Sequence, residues 1–254
     1  MNLVEKVPVF ENERIDEIGF GDLRLIQCPK EFCYGVDAVI LADYATKNLK
    51  KKPDIIVDLG TGTGVIPLIL SHKTRANTII GVEVQVDSYD RACRNVIING
   101  LEERLFFVNE DVKDIENWAK ELKGNVDVVI SNPPYFISGG GITNDLTPKT
   151  IARHETTAGL NDFLAAASYL LKPRADFFMV HRPSRLADIC CYGRSNGLEP
   201  KGMCFVSPNM ESAPNIVLVH MVKGGGKELK FQEPLAVYDS NGNYTEKLLE
   251  AYKD

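Results

Sequence analysis

The 254-residue sequence predicts a doubly wound α/β domain, in which helices flank a mostly parallel β-sheet. Two observations predict this class. From residue 54 onward, short runs rich in β-branched residues alternate with amphipathic stretches, as strands alternate with helices in such domains. A glycine-rich turn also follows the first of these runs, and open α/β sheets bind their ligands at the carboxyl ends of their strands.

The strands and helices can be assigned in order. Each predicted strand is a short apolar run bounded by turn residues, and each predicted helix carries apolar residues on one face. The predicted strands are residues 55–59, 78–84, 105–109, 126–131 and 176–181. The predicted helices are residues 65–72, 88–99, 115–122, 160–171 and 184–195.

The two ends of the chain complete this prediction. Residues 203–207, 216–223 and 229–238 are separated by Gly- and Pro-rich turns with no helix between the last two, so we expect them to close the sheet with an antiparallel pair. Residues 1–53 hold one predicted strand, 23–28, and one predicted helix, 38–48. We expect them to form an N-terminal cap on a domain of residues 54–254.

Composition limits the classes of protein and partner. A net charge of −6 argues mildly against a nucleic-acid partner, yet residues 172–230 hold nine Lys and Arg against five Asp and Glu. No apolar stretch is long enough to span a bilayer and no leader pattern opens the sequence, so we expect no membrane contact and no secretion. The six cysteines and four histidines lack metal-ligand spacing, which predicts reduced thiols, no metal and a cytoplasmic location.

The glycine-rich turn covers residues 58–64, DLGTGTG. Glycine at these positions allows a sharp turn and lets a ligand approach the backbone within contact distance. The spacing is GxGxG, which differs from the GxGxxG of dinucleotide-binding domains, and the Gly-Lys-Ser/Thr ending of a phosphate loop is absent. On this motif alone, a plain strand-to-helix turn is the alternative.

Acidic residues stand at the end of the second predicted strand and just after the third. Glu83 stands where a carboxylate can accept two hydrogen bonds from a ribose diol, in nicotinamide and adenosyl cofactors alike. Asp111-Val112 offers a carboxylate and an aliphatic group, which suit the amine and ring face of an adenine. Each acid taken separately fits an ordinary loop or capping residue. Because parallel strand ends meet at one edge, the three features together predict one nucleoside-binding cleft.

The fourth predicted strand is followed by Asn132-Pro133-Pro134-Tyr135. The two prolines fix the backbone and remove two N–H donors, so the loop presents carbonyl acceptors in a stiff geometry. The Asn132 side-chain oxygen and the Pro133 carbonyl can hold the hydrogens of a conjugated NH₂ out of plane, which localises its lone pair. Tyr135 offers a ring face for a flat substrate. The alternative is a rigid Pro-rich turn without chemistry.

These motifs resemble those of the class I S-adenosylmethionine-dependent methyltransferases of the NPPY group, which methylate exocyclic or amide nitrogens. Further strings make almost the whole chain similar to the bacterial tRNA1(Val) adenine N6-methyltransferase family, which acts on adenine 37 beside the anticodon. Those strings are residues 14–16 (RID), 32–42 (FCYGVDAVILA), 132–136 (NPPYF), 152–155 (ARHE) and 180–186 (VHRPSRL). Cys33, Tyr34 and Ser131 depart from the family pattern.

The resemblance implies a Rossmann-like class I methyltransferase fold, with a mostly parallel seven-stranded sheet, an antiparallel C-terminal strand and a short N-terminal cap. It implies S-adenosylmethionine as cofactor, with its ribose held by Glu83 and its adenine by Asp111 and Val112. The remaining implied cofactor residues are Asp58, Gly60 and Gly62 on the methionine part, with Gly64 and Asn132 beside them. Asn132 and Pro133 would grip the target amine, Pro134 would stiffen the loop, and Tyr135 would stack on the target base.

The resemblance also implies a tRNA partner. The candidate phosphate contacts are Arg153, Arg182, Arg185, Arg194 and Lys201, although a solvated position is the alternative for each. Residues 139–148 are predicted to form a mobile loop beside the site. The sequence leaves the oligomeric state open and slightly favours a monomer.

Three other functions fit the same motif. The NPPY grip suits N5-methylation of a protein glutamine, for example in a release factor, but 53 residues are too few for the helical domain that usually precedes the glycine turn in those enzymes. Methylation of another exocyclic amine in RNA or DNA is a second alternative. A non-catalytic RNA-binding module is a third, against which the intact Asn132 and Tyr135 argue.

Overall fold

The computed structural model describes residues 7–30, 33–134 and 158–253. An antiparallel hairpin precedes the main sheet and consists of β1 (Arg14–Glu17) and β2 (Arg24–Gln27). The strands of the main sheet are β3 (Ile55–Leu59), β4 (Thr78–Val82), β5 (Leu105–Val108), β6 (Val126–Ser131), β7 (Leu171–His181), β8 (Leu198–Ser207), β9 (Ile216–Lys223), β10 (Lys230–Phe231) and β11 (Leu235–Ala236).

Helices cover both faces of this sheet. They are α1 (Val36–Asn48), α2 (Val65–Lys73), α3 (Val86–Asn99), α4 (Ile115–Trp118), α5 (Leu160–Leu170), α6 (Leu186–Ser195) and α7 (Glu246–Leu249). Single 3₁₀ turns are formed by Val112–Asp114, Lys120–Leu122, Pro183–Arg185 and Glu250–Tyr252. Within the described ranges, no helix is both long and apolar enough to cross a membrane. All six cysteines are free thiols, as the sequence predicts.

The main sheet has the strand order β10-β8-β9-β7-β6-β3-β4-β5, and β11 also pairs with β8. Strands β3 to β7 are parallel to their neighbours among themselves, whereas β9 is antiparallel to both β7 and β8. The seven long strands confirm the predicted mostly parallel sheet with one antiparallel strand near its C-terminal end. From β3 the chain adds β4 and β5 on one side of the sheet and then crosses over to add β6 on the other side of β3. Open α/β sheets bind ligands at such switch points.

The C-terminal part of the sheet differs from the prediction. Residues 198–207 and 216–223 form the antiparallel pair, but residues 229–238 contribute only β10 and β11, and both run parallel to β8. Pro234 immediately precedes β11 and has no N–H to donate to a ladder, so a continuous strand cannot form there. The helix predicted over residues 115–122 is also shorter in the structure: α4 ends at Trp118, and a separate 3₁₀ turn covers Lys120–Leu122.

Two apolar clusters pack on the two faces of the sheet. Adjacent strand residues alternate between them, so that Ile56 faces α1 and α2 while Val57 faces α5 and α6. Ile18, Phe20 and Leu25 of the N-terminal segment belong to the first cluster. The N-terminal segment therefore shares the core of the sheet domain.

Asn95 joins the N-terminal hairpin to the glycine turn. It is fully buried in α3. Its Oδ1 accepts a hydrogen bond from Ile26 N at 2.6 Å, and its Nδ2 donates to Thr63 O at 3.0 Å. One buried amide thus satisfies backbone groups of two segments that are far apart in the chain.

Asn95→Ala should lower the free energy of unfolding by about 1–3 kcal/mol, because it leaves the buried Ile26 N–H without an acceptor. Urea unfolding followed by circular dichroism measures this change. The matched control is Asn125→Ala, since Asn125 is exposed and bonds only locally, through its Nδ2, to Glu121 O. Equal stability of the two variants would contradict the linking role of Asn95.

Candidate active site

The site lies at the carboxyl ends of β3, β4, β5 and β6. Leu59 pairs with Val82 on one side and with Ser131 on the other, and Val82 pairs with Val108. The segments that follow these residues therefore emerge side by side from one edge of the sheet. The glycine turn, Glu83 and Asn132 follow three of these strands directly, which brings the predicted features together as the sequence analysis expects.

The glycine turn is held against β4 and leaves open space above itself. Val82 O accepts hydrogen bonds from Gly60 N at 2.9 Å and from Thr61 N at 3.0 Å. Gly62 has a φ of +58°, and a Cβ built there would meet no atom of the described residues within 4 Å. Gly64 differs, because at φ +83° its Cβ would come within 2.6 Å of the Phe107 ring. Gly62 thus borders open space, whereas the absence of a side chain at Gly64 lets the Phe107 ring pack against the backbone.

Glu83 is buried, with 6% of its surface exposed. Its Oε2 accepts from Gly62 N and its Oε1 from Gln85 N, both at 2.8 Å. Burial raises the pKa of the Glu83 carboxyl, and these backbone hydrogen bonds oppose the rise. Each carboxylate oxygen retains further acceptor capacity, which suits a pair of hydroxyl donors.

Asn109 is a supporting residue that the sequence analysis missed. Its Nδ2 donates to Glu83 O at 2.8 Å and to Val84 O at 3.2 Å, so it holds the end of β4 next to the end of β5. Its position at the end of a predicted strand was visible in the sequence. The partner that it bonds was not, because the two residues meet only through strand pairing.

Asp58 carries two carboxylate oxygens for which the described residues provide no hydrogen-bond partner. The residue is completely buried, and the hydroxyl of neighbouring Thr61 likewise lacks a partner there. Burial raises the pKa of the Asp58 carboxyl to about 7; the nearby Thr61 hydroxyl opposes the rise, and the Glu83 carboxylate adds to it. Since buried polar atoms are seldom left unpaired, this carboxylate fits a ligand that brings a cationic or hydrogen-bond-donating group.

Asp111 and Val112 lie at the end of β5 with other partners. Asp111 Oδ1 accepts from Lys113 N at 2.9 Å and caps the turn Val112–Asp114, and its Oδ2 lies 3.4 Å from Lys113 Nζ. Val112 is buried in the α5 and α6 cluster. Asp111 therefore has the capping role that the sequence analysis gave as an alternative to ligand binding.

The Asn132 loop is anchored by its preceding residue. Ser131 is fully buried, and its Oγ donates to Leu59 O at 2.8 Å, which ties the loop to the start of the glycine turn. Asn132 is half-buried, Pro133 is buried and Pro134 is exposed. Tyr135 lies outside the described residues, as does the predicted loop 139–148.

The candidate RNA-contacting residues separate into two regions. Arg182 and Arg185 directly follow β7, at the same edge as Asn132, and Arg185 Nε lies 2.6 Å from Asp188 Oδ2. Arg182 also lowers the pKa of Asp37 in the first turn of α1, against the larger rise from burial. The end of β7 and the start of α1 are therefore neighbours.

The structure does not bring Arg194 and Lys201 to this edge. Arg194 forms a bidentate pair with Glu199, with Nη2–Oε1 at 2.6 Å, and Glu199 lies opposite Val222 near the amino ends of the parallel strands. Lys201 Nζ donates to the carbonyl of Gly226, beyond the end of antiparallel β9. Helix α6 runs back along the sheet, which separates these residues from Arg182. Arg153 lies outside the described residues.

No group of three or more His, Cys, Asp or Glu side chains is placed to hold a metal ion in the part of the chain that the structure describes.

Comparison with known proteins defines the class of this protein. Residues 38–184, more than half of the chain, match the family model described as Methyltransferase small domain. The chain belongs to this family of methyltransferases.

The relatives narrow the class. A tRNA1(Val) (adenine(37)-N6)-methyltransferase of Aeromonas salmonicida is 25% identical over 218 residues, which cover 85% of this chain and 86% of the relative. The protein of the same name in Porphyromonas gingivalis is 30% identical over 161 residues, 62% of each chain. The resemblance predicted from the motifs is thus confirmed as sequence similarity.

Solved structures confirm the fold. A predicted O-methyltransferase from Agrobacterium tumefaciens superposes with a TM-score of 0.67 at 18% identity, over 85% of this chain and 95% of the other. TYW2 of M. jannaschii in complex with AdoMet gives a TM-score of 0.55 at 16% identity, over 85% of this chain and 87% of the other. The predicted Rossmann-like methyltransferase fold is confirmed.

The contribution of Asp58 to the stability of the ligand-free protein should fall as pH rises between 3.8 and about 7. In that window folded Asp58 holds a proton that the unfolded chain has released, so stability present at low pH is lost as pH passes the folded-state pKa. Asp58→Asn removes this titration and should gain stability relative to the parent protein as pH rises. Urea unfolding across this range measures the difference, with Asp22→Asn, at an exposed position, as the control. A pH-independent difference would contradict the raised pKa.

Proposed function

We propose that this chain transfers the methyl group of S-adenosylmethionine to N6 of adenine 37, beside the anticodon, in tRNA1(Val). One observation carries the proposal. At one sheet edge, the glycine turn and the Asn132-Pro133 acceptors meet beside the buried carboxylate of Asp58, which has no hydrogen-bond partner among the described residues. The names of the two relatives described above support this substrate. The regions that match this chain cover 86% of the first relative and 62% of the second.

The residues of the edge fit S-adenosylmethionine. The Asp58 oxygens, which the described residues leave without a hydrogen-bond partner, suit the amino group of the methionine part. The space that these residues leave open at Gly62 allows the close approach of a ligand. The free acceptor capacity of Glu83 suits the ribose hydroxyls, and Asp111 and Val112 stand at the strand end proposed for the adenine. When bound, this cofactor supplies an electrophilic methyl group on a sulfonium.

The Asn132 loop acts on the nucleophile. The lone pair of an adenine amine is delocalised into the ring, and the amine is therefore a poor nucleophile. Asn132 Oδ1 and the Pro133 carbonyl accept its two hydrogens and hold them out of the ring plane, which localises the lone pair. The Ser131 hydroxyl, bonded to Leu59 O, keeps these acceptors in place. No strong base is needed beforehand, because the amine becomes acidic once it is alkylated.

Positioning and desolvation supply the rest of the rate. The adenine must leave its stack to reach a buried strand end, as bases do in other enzymes that modify them. We propose that Tyr135 stacks on the extruded base and that Arg182 and Arg185 contact backbone phosphates at the same edge. The same function assigns the protein to the cytoplasm, where tRNA is located.

The test incubates the protein with cofactor labelled in its methyl group and with either total tRNA or a peptide release factor. Label on tRNA, recovered as N6-methyladenosine by mass spectrometry of nucleosides, is the expected result. Label on protein alone would replace the proposal with glutamine methylation. Label on another nucleoside would change the target amine, and no transfer to either substrate would favour a non-catalytic module.

Asn132→Ala should lower kcat by about 10²-fold or more, because it removes an acceptor that acts in the transition state. The Kd of the cofactor should change only modestly. Single-turnover methylation and isothermal titration measure the two quantities, and Asn125→Ala, on an exposed turn, serves as the control. Equal losses in Kd and kcat would make Asn132 a cofactor-binding residue only.

Glu83→Ala should raise the Kd of the cofactor about 10- to 100-fold, in line with the loss of a hydrogen bond to a charged group. At saturating cofactor, kcat should fall much less. Glu83→Gln keeps the acceptor for Gly62 N and should have the smaller effect, and Glu102→Ala, at an exposed turn, is the control. An unchanged Kd in Glu83→Ala would remove Glu83 from the ribose role.

A further inference from the structure

Two exposed tyrosines stack on each other near the C-terminus. The rings of Tyr238 and Tyr244 have centroids 5.3 Å apart with 24° between their planes. Tyr238 is 41% exposed and Tyr244 is 43% exposed. We call these two residues the tyrosine pair. Aromatic rings of this size are usually buried, so a stacked pair that remains half in solvent presents a ring surface to a partner.

A tight turn holds the tyrosine pair in one arrangement. Asp239 Oδ1 accepts from Asn241 N at 2.8 Å and from Asn243 N at 3.0 Å, and an antiparallel bridge joins the two tyrosines. The turn is anchored on its far side by Thr245, whose Oγ1 bonds Ala236 O at 2.7 Å and caps α7. Because the rings are already ordered, binding a flat group to them loses little conformational entropy.

The tyrosine pair lies at the same edge of the sheet as the candidate active site. Strand β11 runs parallel to β8, which in turn runs parallel to β7, so the residues after β11 emerge at the carboxyl edge. Tyr238 N bonds the carbonyl of Pro208, one residue past the end of β8. Four strand spacings separate β11 from β6, which is about 19 Å. The tyrosine pair is therefore on the flank of the surface that contains Asn132.

The start of α1 lies near both positions, since α1 packs against β7 and against the C-terminal turn Glu250–Tyr252. Tyr34, just before α1, has a pKa raised by burial and further by Asp16 and Tyr244, so it lies within electrostatic range of the tyrosine pair. Three residues later Asp37 is within range of Arg182, next to β7. Tyr34 and Asp37 at the start of α1 are therefore within electrostatic range of the tyrosine pair and of Arg182, respectively.

We infer that the tyrosine pair is a stacking platform for an unpaired base of the RNA substrate, at a distance from the methylated adenine set by the width of the sheet. This inference rests on the proposed function and deepens it, because it assigns a second contact on the tRNA. At about 3.4 Å per stacked nucleotide, 19 Å corresponds to about six nucleotides, and to fewer where the strand is extended.

RNA fits the tyrosine pair better than a protein partner does. Single-stranded RNA is recognised largely by stacking of splayed bases on aromatic rings, without any requirement for a surrounding apolar pocket. The residues between the two tyrosines, Asp239 to Asn243, are polar or glycine and mostly exposed, so the turn itself adds no apolar side chain to the rings. The arginines at the same edge supply the cationic groups that a phosphate backbone needs.

The first experiment compares steady-state methylation of tRNA by the parent protein, by Tyr238→Ala/Tyr244→Ala and by Tyr238→Phe/Tyr244→Phe. The alanine variant should raise the KM for tRNA about 5- to 150-fold, the loss expected for one stacked base, with kcat at saturating tRNA and cofactor Kd within twofold. The phenylalanine variant keeps the rings and should retain most of the affinity. Tyr192→Ala is the matched control, because Tyr192 is 37% exposed and lies in the second half of α6, away from this edge.

A second measurement uses the unaltered protein and does not depend on how the variants fold. Tetranitromethane nitrates exposed tyrosines, and peptide mass spectrometry reads each position. Saturating tRNA should protect Tyr238 and Tyr244 and leave Tyr192 reactive.

The outcomes separate the two proposals. Suppose that the parent protein methylates tRNA. If the alanine variant then has the same KM for tRNA as Tyr192→Ala, or if tRNA does not protect the tyrosine pair from nitration, only the stacking platform is overturned. If the parent protein transfers no methyl group to tRNA, the proposed function falls and the platform falls with it. Protection by a protein substrate in place of tRNA would reassign the surface to a protein partner.

Discussion

The register of β3 with its two neighbours is the constraint on which the site depends. Val82 and Ser131 both lie opposite Leu59, so three loops leave the sheet at one height. The bonds from Gly60 N and Thr61 N to Val82 O, and from Ser131 Oγ to Leu59 O, hold this register. A slip by one residue would turn Asp58 to the opposite face and move the acceptors of the Asn132 loop relative to the glycine turn.

The same edge concentrates features that oppose folding. Asp58 is buried beside the buried Glu83 and has no hydrogen-bond partner in the described part of the chain. Both carboxyl groups have raised pKa values because their charges are poorly solvated. The two apolar clusters on the faces of the sheet offset this cost. Unfavourable polar burial in a cleft, supported by a well-packed scaffold elsewhere, is the arrangement expected of a binding site rather than of a structural core.

Segments far from the motifs shape the surroundings of the site. Asn95 joins the hairpin β1–β2 to the glycine turn. The C-terminal segment packs on the N-terminal segment, where the ring of Tyr252 stacks on that of Phe20 with centroids 5.8 Å apart. Both ends of the chain therefore contribute to the face that carries α1. The tyrosine pair depends on this arrangement, since the turn between Tyr238 and Tyr244 is held between β11 and α7.

The sequence by itself determined the parts of this protein that local chemistry encodes. The strands 55–59 and 126–131, the glycine turn and the stiff Asn132 loop follow from apolar periodicity and from the backbone limits of glycine and proline. Only the tertiary structure decided which strands pair after residue 198 and that Arg194 and Lys201 lie away from Arg182. It also decided that Asp111 caps a turn whereas Asp58 finds no hydrogen-bond partner within the described ranges. Those outcomes depend on contacts between residues distant in the chain, and no local pattern specifies the partner of a strand or of a buried charge.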